Sequence, residues 1–175
     1  MDEKELKKTI AAAQKGSVEA FGALYERYRQ DLYRFALWYV HDPNDAEDAV
    51  QDAMVNAFKN IRLLRKPDSF HSWLFTILAN ACRAILQKRQ RDAVSLEDAP
   101  EALRLCTYDS YDTGQTGRLL GSLKEADRQI VVLSVFGDLN SKEIGELLGM
   151  KSVTVRSRLS RALQSLRITA EQEAS

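Results

Sequence analysis

Apolar residues recur along this chain with the spacing of helices, and strand-like alternation is scarce. Residues 2–15 read as a short amphipathic helix stopped at Gly16. Ser17 then caps a long helix. Its stripe of Phe21, Leu24, Tyr25, Tyr28, Leu32, Phe35, Ala36 and Tyr39 falls on one face. His41-Asp42-Pro43 breaks it. Asn44 with Glu47 forms a capping box for a helix to about Ile61, with Val50, Met54, Ala57, Phe58 and Ile61 inward. The basic loop 62–69 contains Pro67, and Asp68 or Ser69 caps the next helix. Phe70, Trp73, Leu74, Ile77, Leu78 and Ala81 form its apolar face. Leu119–Phe136 reads as one further helix ended by Gly137.

The most informative pattern lies at 139–166. Asn140 and Glu143 make a capping box, and Ile144, Leu147 and Leu148 form a compact apolar face. Gly149 permits the positive φ of a sharp helix end, and Gly145 leaves room for a helix to cross closely. A second helix starts near Ser152, with Val155, Leu159, Ala162, Leu163 and Leu166 facing inward. Its outward face carries Val153, Ser157, Arg161 and Gln164, flanked by Arg156 and Arg158. Short hydroxyls let such a helix sit deep in a groove while guanidinium groups reach phosphates or guanine edges. From Lys151 to Arg167 there are five basic residues and no acid, whereas a merely solvated face mixes signs. A DNA-reading helix-turn-helix is the reading favoured over a surface hairpin with solvated arginines.

The expected fold class is therefore all-α. Residues 92–116 change character: six acids, one base, and Pro, Gly, Ser and Thr that break any period. A connection of ~25 polar residues is too long for a packed loop, so it is expected to be an acidic flexible linker between two small helical domains, 1–91 and 117–175.

Composition narrows the function. Apolar residues make up 45% of the 175, enough for a real core. No apolar run reaches the ~18 residues of a membrane span, and the charged N-terminus is unlike a signal peptide, so direct membrane insertion is not expected and a cytoplasmic location is. Cys82 and Cys106 have no histidine at ligand spacing; no metal site, disulfide or cofactor is expected. The 25 basic and 25 acidic residues cancel, which is awkward for a protein that holds DNA unaided. The charge is unevenly spread, however. Arg83, Lys88, Arg89 and Arg91 form one basic cluster and the 151–167 helix another, while Asp45, Asp48 and Asp52, with Gln51, make an acidic ridge. The helix dipole accounts for acids in a first turn but not for Asp52, two turns in. No nucleophile or histidine lies in register, so no catalytic residue is expected. Thr76, Asn80, Arg83 and Gln87 form a polar stripe whose Asn and Arg suit bases and phosphates. Two basic patches on a neutral chain suggest a partner that helps hold it on DNA.

Three blocks in order carry a family pattern: DAEDAVQDAMVNAF at 45–58, SFHSWLFTILANACRAIL at 69–86, and the 139–163 helix-turn-helix with TVRSRLSRA. With the acidic stretch between the second and third, the sequence resembles an extracytoplasmic-function (ECF) sigma factor of the bacterial sigma-70 family. The resemblance implies a sigma-2 domain at 1–91 and a sigma-4 domain at 117–175. It implies that Asp48, Gln51 and Asp52 dock on core RNA polymerase. It implies that the 62–70 loop, with Lys66, Asp68, Ser69 and Phe70, captures a base of the melted −10 element, together with Asn80 and Arg83. It implies that Arg156, Ser157, Ser160 and Arg161 meet the duplex −35 element. An anti-sigma factor is an implied partner. The competing class is a stand-alone helix-turn-helix regulator, which would bind its operator without polymerase.

Overall fold

The computed structural model describes residues 1–95 and 114–175, and every regular element in them is helical. Much of the expected linker, and Cys106 with it, falls on 96–113, outside the described residues. Helices α1 (Glu3–Gln14), α2 (Val18–Val40), α3 (Pro43–Asn60) and α4 (Phe70–Ser95) form an N-terminal unit. Helices α5 (Gly114–Gly121), α6 (Glu125–Val131), α7 (Ser141–Leu148) and α8 (Ser152–Glu173) form a second.

Alanines decide how closely the N-terminal bundle packs. Ala46, Ala49, Ala53 and Ala57 line the inner face of α3 and are fully buried. With no side chain beyond Cβ, this face lets α3 lie close to α2 and α4. Leu32, Phe35, Phe75 and Leu78 fill the centre, with the Phe35 and Phe75 rings edge to face at 5.2 Å. The buried face of α4 is Phe70, Leu74, Phe75, Leu78, Ala79 and Cys82. Trp73, Ile77 and Ala81, expected in the core, are only half-buried. A pure 3.6-residue count placed the stripe a third of a turn off. Tyr25 and Phe58 are likewise exposed rather than inward, at the two edges of their stripes; Phe58 still meets the Phe21 ring at 5.1 Å.

Local signals explain most helix ends. Asp2 and Ser17 cap α1 and α2 with their side chains. The cap of α3 is Asp42, which accepts from the Asp45 amide at 2.9 Å, and Pro43 takes the first helical position. The expected Asn44–Glu47 box does not form there. Asp68 and Ser69 do not cap α4; they belong to a 3₁₀ turn, Pro67–Ser69, that runs straight into it. Asp68 instead pairs with Lys7 at 2.9 Å. Gln14 donates to the carbonyls of Ile61 and Leu64 at 3.2 and 2.7 Å. Thus α1 ties down both sides of the 61–69 connection.

The stretch expected as one helix over Leu119–Phe136 is two. It breaks at Ser122–Lys124, where the Ser122 hydroxyl donates back to the Leu119 carbonyl, and it ends in a π-helical segment, Val132–Phe136. Leu133, Leu139, Ile144 and Val155 then make the core of the second unit. Gly149 ends α7 with φ 68°, as its position required, and the Asn140–Glu143 capping box is formed. Gly145, however, is not a helix crossing: a Cβ there would lie 2.5 Å from the Met150 carbonyl, so it is the turn backbone that needs the space.

The units meet in a seam. The Trp38 and Phe136 rings lie 4.4 Å apart, and His71 Nε2–H donates to the Phe136 carbonyl at 3.0 Å. His71, expected as a solvated residue, is half-buried and stacks on Phe75 at 4.4 Å. His41 closes α2 in the left-handed region, φ 58°. Burial, with Arg128 and Arg89 nearby, lowers its pKa to about 3 from 6.5. For a base, a lowered folded pKa means the unfolded chain takes up the proton first. The stability is therefore intact above pH 6.5 and falls as pH drops below it. His41→Asn keeps a residue tolerant of left-handed backbone and removes the titration. Urea melts should show wild type losing up to about 2 kcal/mol more than the variant between pH 7 and pH 5. Equal losses would remove His41 as the cause.

Candidate functional site

The acidic ridge is held by what lies behind it. Residues 46, 49 and 53 of α3 are buried alanines, so Asp48, Gln51 and Asp52 point to solvent on a well-anchored helix. They form one wall of an open groove; Trp73, Ile77, Asn80 and Lys88 of α4 form the other. Asp45 is not a free member of the ridge. It is half-buried and bonded to the Arg89 guanidinium, which also donates to the Val40 carbonyl at 2.7 Å. That pair fastens the start of α3 to α4, and the ridge proper begins at Asp48.

The 61–70 connection closes one end of this groove. Lys66 and Ser69 are exposed, and Asp68 is exposed but engaged with Lys7. Phe70 is buried at 2% exposure, with its ring against Tyr28 at 5.5 Å, so it supports the loop from beneath. Asn80 opens onto the groove, one turn beyond Ile77 and two beyond Trp73. Arg83, expected on the same stripe, is half-buried and turns towards Glu125 and Gln129 of the second unit. Thus Asn80 and Arg83 do not converge. Sequence patterning missed the apolar rim: Leu63 is 73% exposed and Val55 53%, both beside the groove. The only signal for Leu63 was the run RLLRK, in which one leucine, Leu64, is buried and its neighbour cannot be.

On α8, Arg156, Ser157, Ser160 and Arg161 are all exposed on the face that also presents Val153. Ala162 and Val155 anchor the opposite face. Leu163, expected inward, is exposed: the buried line of α8 runs through Leu159, Ala162 and Leu166, and Leu163 lies at its edge. Arg158 is not part of the outward face. Its Nε donates to Asp127 of α6 at 2.8 Å, with both side chains less than one-third exposed. It braces α8 against α6. Lys151 is the residue before α8 and gives it no side-chain cap, and Ser152 is the first helical residue, where the helix was expected to start. Among the described residues no cluster of His, Cys, Asp and Glu could hold a metal ion, and Cys82 is a buried free thiol whose pKa burial raises to about 12. No described helix is long and apolar enough to cross a membrane.

The comparisons with known proteins follow the same division. The family model described as Sigma-70 region 2 matches residues 24–92, and that of Sigma-70, region 4 matches residues 113–166. RNA polymerase sigma factor SigV of Bacillus subtilis is 32% identical over 146 residues, covering 83% of this chain and 88% of that protein. ECF RNA polymerase sigma factor SigM of Mycobacterium tuberculosis is 32% identical over 155 residues, covering 87% and 78%. Among solved structures, CnrH in complex with the cytosolic domain of CnrY matches with TM-score 0.60 and 26% identity, over 95% of this chain and 97% of that one. The sigma factor RpoE in complex with the anti-sigma factor NepR from Bartonella quintana shares the fold, with TM-score 0.66 and 23% identity over 88% and 98%. The region 2 match spans α3, α4 and the groove between them, the region 4 match spans α7 and the basic part of α8, and the chain belongs to the sigma-70 family of RNA polymerase sigma factors, in its ECF class.

Proposed function

We propose that this sigma factor starts transcription by dividing the work over three surfaces. A sigma-2 domain at 1–91 docks on core RNA polymerase through Asp48, Gln51 and Asp52. The rim of the same groove takes the melted −10 strand, with Lys66, Ser69 and Asn80 as polar contacts and Asp68 holding the loop through Lys7. Phe70 acts from below by fixing the loop, and Arg83 reaches the backbone once it is free of Glu125. A flipped base costs a few kcal/mol of unstacking, and the exposed Leu63 beside Trp73 is the apolar surface that offsets it. A sigma-4 domain at 117–175 reads the duplex −35 element with Arg156, Ser157, Ser160 and Arg161, and residues 92–116 join the two. The chain provides specificity and no catalytic group, and it works in the cytoplasm with the polymerase.

The observation that carries this proposal is the segregation of charge. A chain of zero net charge presents an acidic face on α3, and α8 turns only basic, hydroxyl and apolar side chains outward between Lys151 and Arg161. Such a chain has little general affinity for DNA and gains it from a partner. CnrH and the Bartonella RpoE were each solved with a bound protein, the latter an anti-sigma factor, and a partner of that kind is part of the proposal.

The test is run-off transcription with core polymerase on a library of promoter fragments. Start sites that appear only with this protein support the proposal and expose both promoter elements. No new transcripts, with tight operator binding by the protein alone, would replace it with a stand-alone regulator. On a promoter so found, Arg161→Ala should weaken −35 binding by about 1–3 kcal/mol if it makes a bidentate base contact. The loss should concentrate at one base pair, since a phosphate contact would weaken all sequences alike. Arg161 makes only a long contact, 3.5 Å, to the Ser157 carbonyl, so the free protein's melting temperature should not change.

A further inference from the structure

We propose that Lys15, Arg62, Arg65 and Lys66 form a phosphate-binding track that carries the melted strand away from the −10 capture loop towards the start site. The track rests on the proposed −10 role of the loop for its ligand, but not for its geometry.

The sequence concentrates the charge. Between Asp52 and Asp68 stand four basic residues, Lys59, Arg62, Arg65 and Lys66, and no acid. All four are exposed, and so is Lys15 at the end of α1. Among the described residues none of the five has an ion-pair partner. Lys59 has a local cause: it lies in the last turn of α3, where the helix dipole favours a cation. Arg65 and Lys66 lie past the 3₁₀ turn Ile61–Leu63 that follows, beyond the reach of that dipole.

Helix α1 gathers these charges. Gln14 holds the Ile61 and Leu64 carbonyls, on either side of Arg62 and Leu63. The two side chains between them diverge. Leu63 lines the groove between α3 and α4. Arg62 turns the other way, onto the end of α1: a Cβ on Gly16 would be 3.3 Å from its guanidinium. Lys15 precedes Gly16 directly, so α1 brings a cation of its own to the same rim. Lys7 meanwhile takes up Asp68, the next acid along the chain, at 2.9 Å. That acid is therefore engaged and does not offset the rim.

A single strand needs two kinds of surface, one for its bases and a row of cations for its backbone. The connection supplies both, with Leu63 towards the groove and Arg62 towards α1. Upstream, the −10 strand joins the duplex that leads to the −35 element. Its melted end is therefore the one directed towards the start site. With a base held against Leu63, that end crosses the loop where the cations stand.

Fork-shaped promoter probes, bound by core polymerase carrying the full-length protein, test the track. A short probe ends its single strand at the −10 element. A long one extends it by about six nucleotides, within the span of a single-strand site. Wild type should bind the long probe roughly 3- to 10-fold more tightly, with a log–log salt slope steeper by about 0.7 for each phosphate held. Arg62→Ala with Arg65→Ala should leave the short probe unchanged, remove most of the long probe's advantage and lower its slope by about 1.4. Lys15→Glu, on a different element, should shrink the advantage without touching the loop. Arg62→Lys with Arg65→Lys should keep most of it, since phosphate also accepts lysine as a point charge. An equal loss on both probes would mean that the arginines shape the loop, and an undiminished advantage would mean that the polymerase alone holds the strand. Either result overturns the track. Weaker binding of core polymerase in the absence of DNA would assign the rim to the polymerase and overturn it as well. A wild-type complex that binds a scrambled −10 strand as tightly as the true one would instead sink the −10 proposal, a failure visible before any variant is made.

Discussion

Gly145→Ala is expected to cripple the helix-turn-helix while leaving α3 and its acidic face intact. The new Cβ would sit 2.5 Å from the Met150 carbonyl oxygen, with the Ser152 amide nitrogen at 3.5 Å. Those are backbone atoms of the turn, and they have nowhere to go. The Met150 amide is hydrogen-bonded to the Gly145 carbonyl at 2.8 Å, which staples the turn to this residue. Relief requires α8 to shift away from α7, breaking that bond and unseating Ile144 and Val155, both fully buried. Alanine returns up to ~1 kcal/mol of helix propensity. Overpacking against an unyielding backbone costs ~1–3 kcal/mol or more, and the lost bond adds ~1 kcal/mol. The net destabilisation should be about 2–3 kcal/mol, read as a fall in melting temperature and a loss of −35 binding, with core binding retained. Gly22→Ala is the control. It lies inside α2 with nothing within 4 Å of its Cβ, so it should stabilise by up to ~1 kcal/mol. A melting temperature unchanged by Gly145→Ala would mean that the turn can relax after all.

The same residue shows what the sequence could and could not convey. A glycine inside a helical period announces that something approaches closely, but not whether it is another helix or the chain's own turn. Gly149 was legible because a positive φ at a helix end has a local cause. Capping at Ser17 and Asn140 was legible for the same reason, and the apolar period exposed nearly every helix. What escaped depends on neighbours far away in sequence. The α4 stripe was displaced because α4 packs on α2 and α3 through Leu74, Phe75, Leu78 and Ala79, which leaves Trp73 and Ile77 on the wall of the groove. His71 looked solvated because its partner, the Phe136 carbonyl, is 65 residues away. Arg158 looked like one more DNA-facing cation because its acid, Asp127, belongs to another helix. Asp45 looked like part of the ridge because Arg89 lies 44 residues on. In each case charge pattern gave the residue's type of chemistry correctly and long-range pairing decided whether that chemistry faced a partner or the fold.

These pairings also separate the chain's structural charges from those proposed to meet a partner. Asp45–Arg89 and Asp127–Arg158 are partly buried ion pairs that join helices. Removing either member would leave a charge without its partner, and the loss would appear as instability before it appeared as altered specificity. Among the described residues Asp48, Asp52, Arg156 and Arg161 form no ion pair, and their helices are anchored from behind by alanines and valines. Exposed, unpaired charge on a rigid support is what a surface awaiting a partner requires, since no internal bond has to be broken when the partner arrives.

Asp52→Arg follows directly from that distinction. It should abolish useful binding to core polymerase and leave the fold untouched. Asp52 is exposed, two turns into α3, and away from the helix start where an acid would aid the dipole. Among the described residues it has no salt-bridge partner that the change would lose, and arginine is the better helix former. Thermal melts should therefore match wild type or exceed it slightly. At the docking face the change replaces an attractive charge by a repulsive one beside Asp48 and Gln51. Like-charge juxtaposition in an interface costs several kcal/mol, so affinity should fall by about 2–4 kcal/mol, roughly 30- to 1000-fold. Asp52→Asn, which removes charge without reversing it, should lose clearly less. Glu3→Arg on α1, an equally large charge change on another exposed face, should lose nothing. Measured by titration of labelled core polymerase, this order of losses would tie the ridge to docking. Equal affinities for wild type and Asp52→Arg would leave the ridge without its proposed role, and an equal loss for Glu3→Arg would reduce the effect to net charge.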